Sequence, residues 1–187
     1  MQSISARDAN VVAAWVLAAG EAVGHATEEA AGGSGELASA LVTVALFPGE
    51  RVDALRHVLG LSPSGVVRAV DRLAVAGLVE RRGSSGDARE VLLHPTRRGV
   101  RVAERILAAR ASAVDELLAC LAEGERAELV RLLQKLLTAL PSDRAAARRI
   151  CRLCDHPACE HSRCPVSEGA PGQGHRSHPA AGFGRSR

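Results

Sequence analysis

Residues 61–82, which read LSPSGVVRAVDRLAVAGLVERR, decide the fold that this chain can adopt. Ser62 has the character of a helix N-cap, and Pro63 follows at the first helical position, where its missing N–H costs no hydrogen bond. An apolar face then recurs at helical spacing, formed by Val66, Val70 and Leu73. Gly77 ends this pattern, and the apolar pair after it begins a strand. The stretch therefore predicts a short helix that runs directly into a β-strand.

The segments on either side complete an ordered unit. Upstream, residues 51–59 predict a short helix that ends at Gly60, a natural left-handed cap. Downstream, strands are predicted at 78–82 and 90–94, joined by turn-forming residues at 83–87. Two short helices joined by a tight glycine turn and followed by a basic hairpin have the order of a winged helix-turn-helix.

The polar residues of this unit suit contact with DNA. A helix N-terminus offers free N–H groups and a positive dipole end to phosphate, and Ser62 and Ser64 add hydroxyls there. Arg68 and Arg72, one and two turns onward, can reach base edges or the flanking phosphates. The hairpin carries three further arginines, Arg81, Arg82 and Arg89. A solvated helix face, or an edge strand protected by charge, gives the same pattern, so spacing alone leaves DNA binding as one of two interpretations.

The remaining segments predict helices that need a partner. Helices are expected at 6–30 and 36–46, and a long one begins at Pro95-Thr96 and carries an apolar stripe as far as Leu121. Glu123-Gly124 interrupts it before a last leucine-rich helix. The first, fifth and sixth helices hold more apolar surface than one copy can cover, which favours a homodimer. The predicted fold class is mainly α with a small β-hairpin wing, a winged helix-turn-helix joined to a helical dimerisation domain.

These elements divide the chain into five predicted parts. They are an N-terminal dimerisation helix at 1–35, the winged helix-turn-helix at 36–99, C-terminal dimerisation helices at 100–140, a linker with a cysteine-rich metal-binding segment at 141–166, and a disordered tail at 167–187.

Composition narrows the class of protein further. Hydrophobic residues make up 47% of the 187 residues but aromatic residues only 2%, which favours helices packed by aliphatic side chains. The net charge of +3 is too small to identify a partner. No apolar run is long enough to span a bilayer and no signal peptide is evident, so a soluble cytoplasmic protein is expected. A Gly-rich phosphate loop, a nucleophile elbow and a paired acidic site are all missing, so no enzyme is predicted.

Three motifs together resemble those of MarR-type transcriptional regulators. Residues 61–82 look like that family's recognition helix and first wing strand, and residues 86–89 match its Asp-x-Arg wing motif. Residues 96–99 resemble the Thr-x-x-Gly that opens its long dimerisation helix. In helix order the resemblance extends over residues 11–140. It implies a homodimer that binds a palindromic operator in double-stranded DNA and usually represses transcription.

The resemblance also implies roles for individual residues. Four of them would face the major groove: Ser62, Ser64, Arg68 and Arg72. Arg89 would enter the minor groove, with Asp87 bracing the wing. Arg68 could instead pair with Asp71, and Arg72 could contact phosphate only. The family commonly senses phenolic ligands, but few aromatic residues are present here to form such a site, so the effector is left unassigned.

Four cysteines lie within fourteen residues near the C-terminus: Cys151, Cys154, Cys159 and Cys164. Thiols this dense in a cytoplasmic protein are poor candidates for structural disulfides, whereas two-residue and four-residue gaps allow all four sulfurs to surround one zinc ion. His156 or His161 could replace one sulfur or act from outside the ligand shell. An iron–sulfur cluster on the same ligands is the second possibility, and a redox switch through Cys151 and Cys154 is the third. A fifth, Cys120, is expected to pack as a small apolar residue in the fifth helix.

A different class of function remains open at this point. The winged helix could serve as a metal-dependent protein-interaction module that binds no specific DNA. Specific binding to an operator separates that alternative from a transcriptional regulator.

Overall fold

The computed structural model describes residues 3–83, 91–159 and 164–170. Eight helices and three short strands lie within these ranges, and the mainly α fold with a β-hairpin wing is confirmed. In chain order they are α1 Ala6–Ala31, α2 Gly35–Leu46, β1 Glu50–Arg51, α3 Val52–Leu59, α4 Pro63–Val75, β2 Val79–Gly83, β3 Val91–Pro95, α5 Arg97–Leu117, α6 Glu123–Ala139, α7 Arg144–Ile150 and α8 Pro165–Gly169. None of the described helices is both long and apolar enough to cross a membrane.

Helix α2 forms the centre of the core. Its residues 38–46 are all buried, and α3, α4, α5 and the sheet pack around it. The apolar face predicted for α4 is confirmed, because its three members, Val66, Val70 and Leu73, are each no more than 3% exposed. The fully buried Leu93 of β3 brings the sheet into the same core.

The sheet has three antiparallel strands in the order β1-β3-β2. Strands β2 and β3 form the predicted hairpin, with Arg81 opposite Leu93 and Gly83 opposite Val91. Strand β1 was not predicted. It has only two residues, Glu50 and Arg51, and it exists because they pair with Leu93 and Leu92 of β3, a tertiary contact that leaves no local pattern.

The junction between the two long helices differs from the prediction. Helix α5 ends at Leu117, four residues before the expected end of its apolar stripe, and Glu123-Gly124 lies inside the first turn of α6 instead of interrupting a helix. The physical reason is a cap, since the Glu125 carboxylate accepts the N–H of Ala122 at 2.8 Å. The prediction that Cys120 packs in a helix is wrong, because it lies in the intervening turn and is exposed.

The C-terminal segment folds back onto the rest of the protomer. Helix α7 packs on α3, and α8 packs on both α6 and α7. A disordered tail was predicted from residue 167, but residues 165–169 are helical and Val166 is 4% exposed, so that prediction does not hold there. Gly169 allows the close approach of α8 to α6, since a Cβ would lie 1.8 Å from the carbonyl oxygen of Thr138. The rest of the predicted tail, residues 171–187, lies outside the described residues.

Candidate nucleic-acid interface

The start of α4 is fixed by its own side chains. The hydroxyl of Ser62 accepts the N–H of Gly65 at 3.1 Å, as an N-cap does, and lies 3.3 Å from the hydroxyl of Ser64. Gly60, just before it, has a φ of 68° and closes α3. The predicted cap is therefore confirmed, and both hydroxyls lie together at the exposed N-terminus of the helix.

One face of α4 is exposed along its whole length. It holds residues at three- and four-residue spacing, namely Ser64, Val67, Arg68, Asp71 and Arg72. Among the residues that the structure describes, neither Arg68 nor Arg72 has a hydrogen-bond or ion-pair partner. Both guanidinium groups can therefore donate hydrogen bonds to another molecule. Sequence reasoning missed Val67, which is 46% exposed. A helical wheel could have placed it between Ser64 and Arg68.

Two wing arginines are paired within the protomer. Arg81 of β2 contacts the Asp71 carboxylate of α4 at 2.6 Å, and Arg82 pairs with Glu80 on the same strand. Asp71 is thus occupied by Arg81, so the expected alternative of an Arg68–Asp71 pair does not form. The Arg81–Asp71 pair joins the wing to α4 and partly neutralises the positive charge at the base of the wing.

The tip of the wing carries the remaining predicted residues. Strand β2 ends at Gly83 and β3 begins at Val91, and these two residues pair across the hairpin. Asp87 and Arg89 fall between them, outside the described residues, so the roles given to them stay predictions.

The end of α4 is held by the start of α5. Thr96 caps α5, because its hydroxyl accepts the N–H of Gly99 at 3.0 Å and donates to the carbonyl of Gly77 at 2.7 Å. A guanidinium N–H of Arg98 donates to the carbonyl of Ala76 at 3.0 Å. These bonds satisfy carbonyls that the end of a helix leaves without partners. They explain the Thr-x-x-Gly pattern physically.

The four C-terminal cysteines gather where α7 ends and α8 begins. Cys151 is the C-cap residue of α7 and Cys164 the N-cap residue of α8, and both are buried. Cys154 packs against them in a small apolar cluster that also contains Leu137 of α6. Cys159 is more exposed but contacts Cys164. The structure therefore places Cys151, Cys154 and Cys164 in one cluster and Cys159 at its exposed side.

The thiols influence one another's ionisation. A hydrogen bond from Cys151, with the charges of Arg110 and Arg152, lowers the pKa of Cys154 to about 7. The same hydrogen bond and burial raise the pKa of Cys151 far above its usual value, and burial with the nearby Cys164 raises that of Cys159 to about 11. Burial opposes ionisation of Cys164, but hydrogen bonds from Ser167 lower its pKa overall. Negative charge therefore forms most readily on the sulfurs of Cys154 and Cys164, the two thiols whose pKa is lowered.

The predicted metal centre is not formed by the side chains as they are placed. Within residues 3–83, 91–159 and 164–170, no three His, Cys, Asp or Glu side chains form a group that could hold a metal ion. Zinc or an iron–sulfur cluster at the cysteines therefore stays a prediction. Two histidines were predicted as alternative ligands. The ring of His156 packs edge-on against Phe47, with centroids 5.1 Å apart, and His161 lies outside the described residues.

The cysteine segment is held against the winged helix-turn-helix and α5 by polar contacts. Arg148 of α7 forms an ion pair with Glu50 of β1, and its guanidinium also lies 5.6 Å from the centre of the Phe47 ring. On the other side, Arg110 of α5 donates to the carbonyl of Leu153 at 2.9 Å. The extension therefore contacts the helix-turn-helix and the long helix at once.

A separate groove of about 800 Å³ runs between α1 and α5. Five of its eleven lining residues are alanines, and its polar residues include His25, Glu29, Arg105 and Glu116. Neither the tryptophan nor a phenylalanine contributes to its walls.

Part of the sequence matches a model of a known protein family. The sequence model described as the MarR family matches residues 38–90, which span α2 to the wing. No curated protein sequence matches the chain.

Several solved structures share the fold. The crystal structure of RV1404 from Mycobacterium tuberculosis is 26% identical, with a TM-score of 0.61 over 75% of this chain and 97% of that one. The YusO protein of Bacillus subtilis is 22% identical, with a TM-score of 0.62 over 73% and 99%. Apo wild-type MarR from E. coli is 22% identical, with a TM-score of 0.61 over 73% and 99%. Each matches nearly its whole length and leaves about a quarter of the present chain without a counterpart.

The matched segment contains the capped reading helix and the wing, and the solved structures extend the likeness to the long helices. Over residues 38–90 the chain matches the MarR family model, and its winged helix-turn-helix fold is shared with solved structures that include E. coli MarR. It also carries a C-terminal extension with four cysteines.

Proposed function

We propose that this protein is a homodimeric transcriptional repressor that binds a palindromic operator in double-stranded DNA through α4 and the wing. MarR-family proteins are non-enzymatic transcription factors that bind operators as dimers. The observation that carries the proposal is the exposed face of α4, where Arg68 and Arg72 lie without protein partners among the described residues. Repression follows if the bound dimer blocks access to the promoter, and such a protein works in the cytoplasm beside its DNA.

The exposed face of α4 carries the chemistry that base recognition needs. An arginine can bond to both O6 and N7 of guanine, and Arg68 and Arg72 are spaced one helical turn apart along the groove. Val67 lies between Ser64 and Arg68, where its methyl groups can contact the methyl of a thymine. The Ser62 and Ser64 hydroxyls, together with the helix N-terminus, suit a phosphate.

Dimerisation is supported by apolar surface that the protomer leaves uncovered. Helix α6 has seventeen residues and none is buried, although it exposes Val130, Leu132 and Leu136. Helix α1 exposes a second apolar set, with Val11, Val12, Val16 and Leu17 each more than half exposed. Several large apolar side chains exposed on one helix are typical of a surface that binds another protein. A second copy would cover both helices and place two reading helices on one face of DNA.

Control by the cysteine segment belongs to the same proposal. Because α7 touches α3 while α8 touches α6, a change of metal or of thiol oxidation at the cysteines would act on the reading unit and on the dimer at once. The segment has little core of its own, so its fold would depend on such a cross-link.

Binding to promoter DNA tests the regulator against the alternative of a protein-interaction module. The full chain is titrated against DNA from its own promoter and against an unrelated duplex at about 0.15 M salt. The proposal predicts binding to the promoter at least about a thousand-fold tighter than to the unrelated duplex. Equal affinity for both that disappears with salt would mean that only non-specific charge attraction exists, and it would favour the interaction module.

A further inference from the structure

The cysteines connect two helices that contact different parts of the protomer. Cys151 ends α7, which packs on α3 of the helix-turn-helix, and Cys164 begins α8, which packs on α6. Both are buried in the cluster that contains Leu137 of α6. Whatever holds these sulfurs together therefore also joins the DNA-binding unit to the last long helix.

An unsatisfied donor lies beside the sulfurs. Arg110 of α5 donates one N–H to the carbonyl of Leu153, the residue before Cys154, at 2.9 Å. Its Nε is buried and has no acceptor among the described residues. A buried N–H without an acceptor is costly, so its persistence requires an explanation. A negatively charged sulfur next to it would provide the missing acceptor, and N–H groups aimed at ligand atoms are usual around protein metal sites.

We propose that Cys151, Cys154, Cys159 and Cys164 bind one zinc ion as four thiolates, with Arg110 donating to the sulfur shell from α5. Binding one Zn²⁺ would release four thiol protons and leave a centre with a net charge of −2. The positive charges of Arg110 and Arg152, both close enough to act on Cys154, offset that charge. The site would satisfy the buried Nε and supply the cross-link that this short segment otherwise lacks.

A zinc ion would have to draw the sulfurs closer together, because no three possible ligands among the described residues form a group that could hold a metal ion as they are placed. A tetrahedral ion with Zn–S distances of about 2.3 Å separates its sulfurs by about 3.8 Å. Cys151, Cys154 and Cys164 share one apolar cluster, and Cys159 is near enough to Cys164 for that thiol to raise its pKa.

The consequence for regulation rests on the proposed function. With zinc bound, α7 and α8 are fixed to each other, so α3 and α4 hold a set position relative to α6. In a dimer this sets the distance between the two reading helices, which must match the spacing of operator half-sites. Loss of the ion would free α7 from α8 and weaken operator binding.

Metal analysis with thiol counting tests the site itself. The full chain is produced with added zinc and purified without oxygen or chelator. We expect about one zinc per chain, one fast-reacting thiol from the exposed Cys120, and four more after a strong chelator is added. The Cys120→Ser control should keep the zinc and lose only the fast-reacting thiol. Five reactive thiols and no retained zinc would overturn the proposal, and so would bound iron with a visible cluster spectrum.

A variant that keeps all four ligands tests the role of Arg110. Arg110→Gln removes the charge and the Nε donor, so zinc affinity measured by competition with a coloured chelator should fall about 10-fold to 100-fold. Arg101→Gln, an exposed change on the same helix, should leave it unaltered. Equal zinc affinity in Arg110→Gln and the unaltered protein would show that Arg110 does not donate to the sulfurs.

Operator binding by zinc-loaded and zinc-free protein tests the link to regulation. We expect zinc removal to weaken specific binding about ten-fold or more and zinc readdition to restore it. Unchanged operator binding after zinc loss would reject the link but leave the site intact. Bound zinc without any specific DNA binding would reject the proposed function and not the metal site.

Discussion

Gly99, in the first turn of α5, lies directly against the backbone of Leu78 at the start of the wing. A Cβ built on Gly99 would lie 1.9 Å from the carbonyl oxygen of Leu78. That same oxygen accepts the N–H of Thr96 at 3.0 Å. The long helix is therefore fixed to the residue just before β2 of the wing, with no room for a side chain between them.

Changing Gly99 to Ala should unfold the protein at lower denaturant concentration. Because the obstructing atom is backbone and cannot rotate away, we expect the free energy of unfolding to fall by about 3 kcal/mol. Chemical denaturation followed by circular dichroism measures this. Gly124→Ala is the control, since nothing lies within 4 Å of its added Cβ, and it should be neutral or stabilising by up to about 1 kcal/mol. Equal stability of the two variants would show that the contact is not tight.

Changing Arg68 to Ala should weaken operator binding without affecting folding. Its guanidinium is exposed and unpaired among the described residues, so its loss removes a DNA contact and no internal one. We expect specific affinity to fall about ten-fold to a hundred-fold at constant salt. Fluorescence anisotropy with labelled operator measures the affinity. Arg131→Ala, on α6, is the matched control, and a loss as large as that in Arg68→Ala would mean that the effect is general charge.

Changing Asp71 to Asn should strengthen DNA binding. The carboxylate engages Arg81 at 2.6 Å and also places negative charge on the face that meets phosphate. Its removal frees Arg81 for DNA, so affinity should rise about three-fold to ten-fold at low salt, with a steeper dependence on salt. Glu128→Gln alters net charge equally on α6, where its carboxylate pairs with Arg131, and should have no such effect. Weaker binding in Asp71→Asn would instead show that the Arg81–Asp71 pair positions the wing for DNA.

Changing Leu136 to Glu should convert the dimer to a monomer. This leucine is 60% exposed on α6 in the single protomer, and a charge there would be buried without a partner in a dimer. Light scattering coupled to size-exclusion chromatography gives the mass. Val75→Glu, at a 91% exposed apolar position on α4, should remain dimeric. A stable dimer of Leu136→Glu would place the interface elsewhere.

The parts of the fold that local rules govern could be predicted from the sequence. The Ser62-Pro63 cap, the buried face of α4 and the Thr96 cap depend on residues a few positions apart, and all three are observed. The parts that depend on distant contacts could not. Strand β1 exists only by pairing with β3, and the partner of Asp71 is on the wing and not on its own helix.

The cysteine segment shows the same division. Spacing alone indicated that the four thiols belong together, and three of them, Cys151, Cys154 and Cys164, lie in one cluster. Nothing in their spacing could show that α8 would pack on α6. Nor could it show that Arg110, more than forty positions before Cys154, would reach Leu153 in the segment between α7 and α8. Asp87 and Arg89 lie outside the described residues, so their contacts with DNA stay predictions.

A hydroxyl-radical footprint of the full chain on its own promoter tests the central claim most directly, because it reports where on the DNA each reading helix lies. The account predicts two protected patches related by a two-fold axis, about one helical turn (10 base pairs) apart on one face of the duplex, at about 0.15 M salt. Uniform weak protection without symmetry, or no protection at that salt, would contradict it.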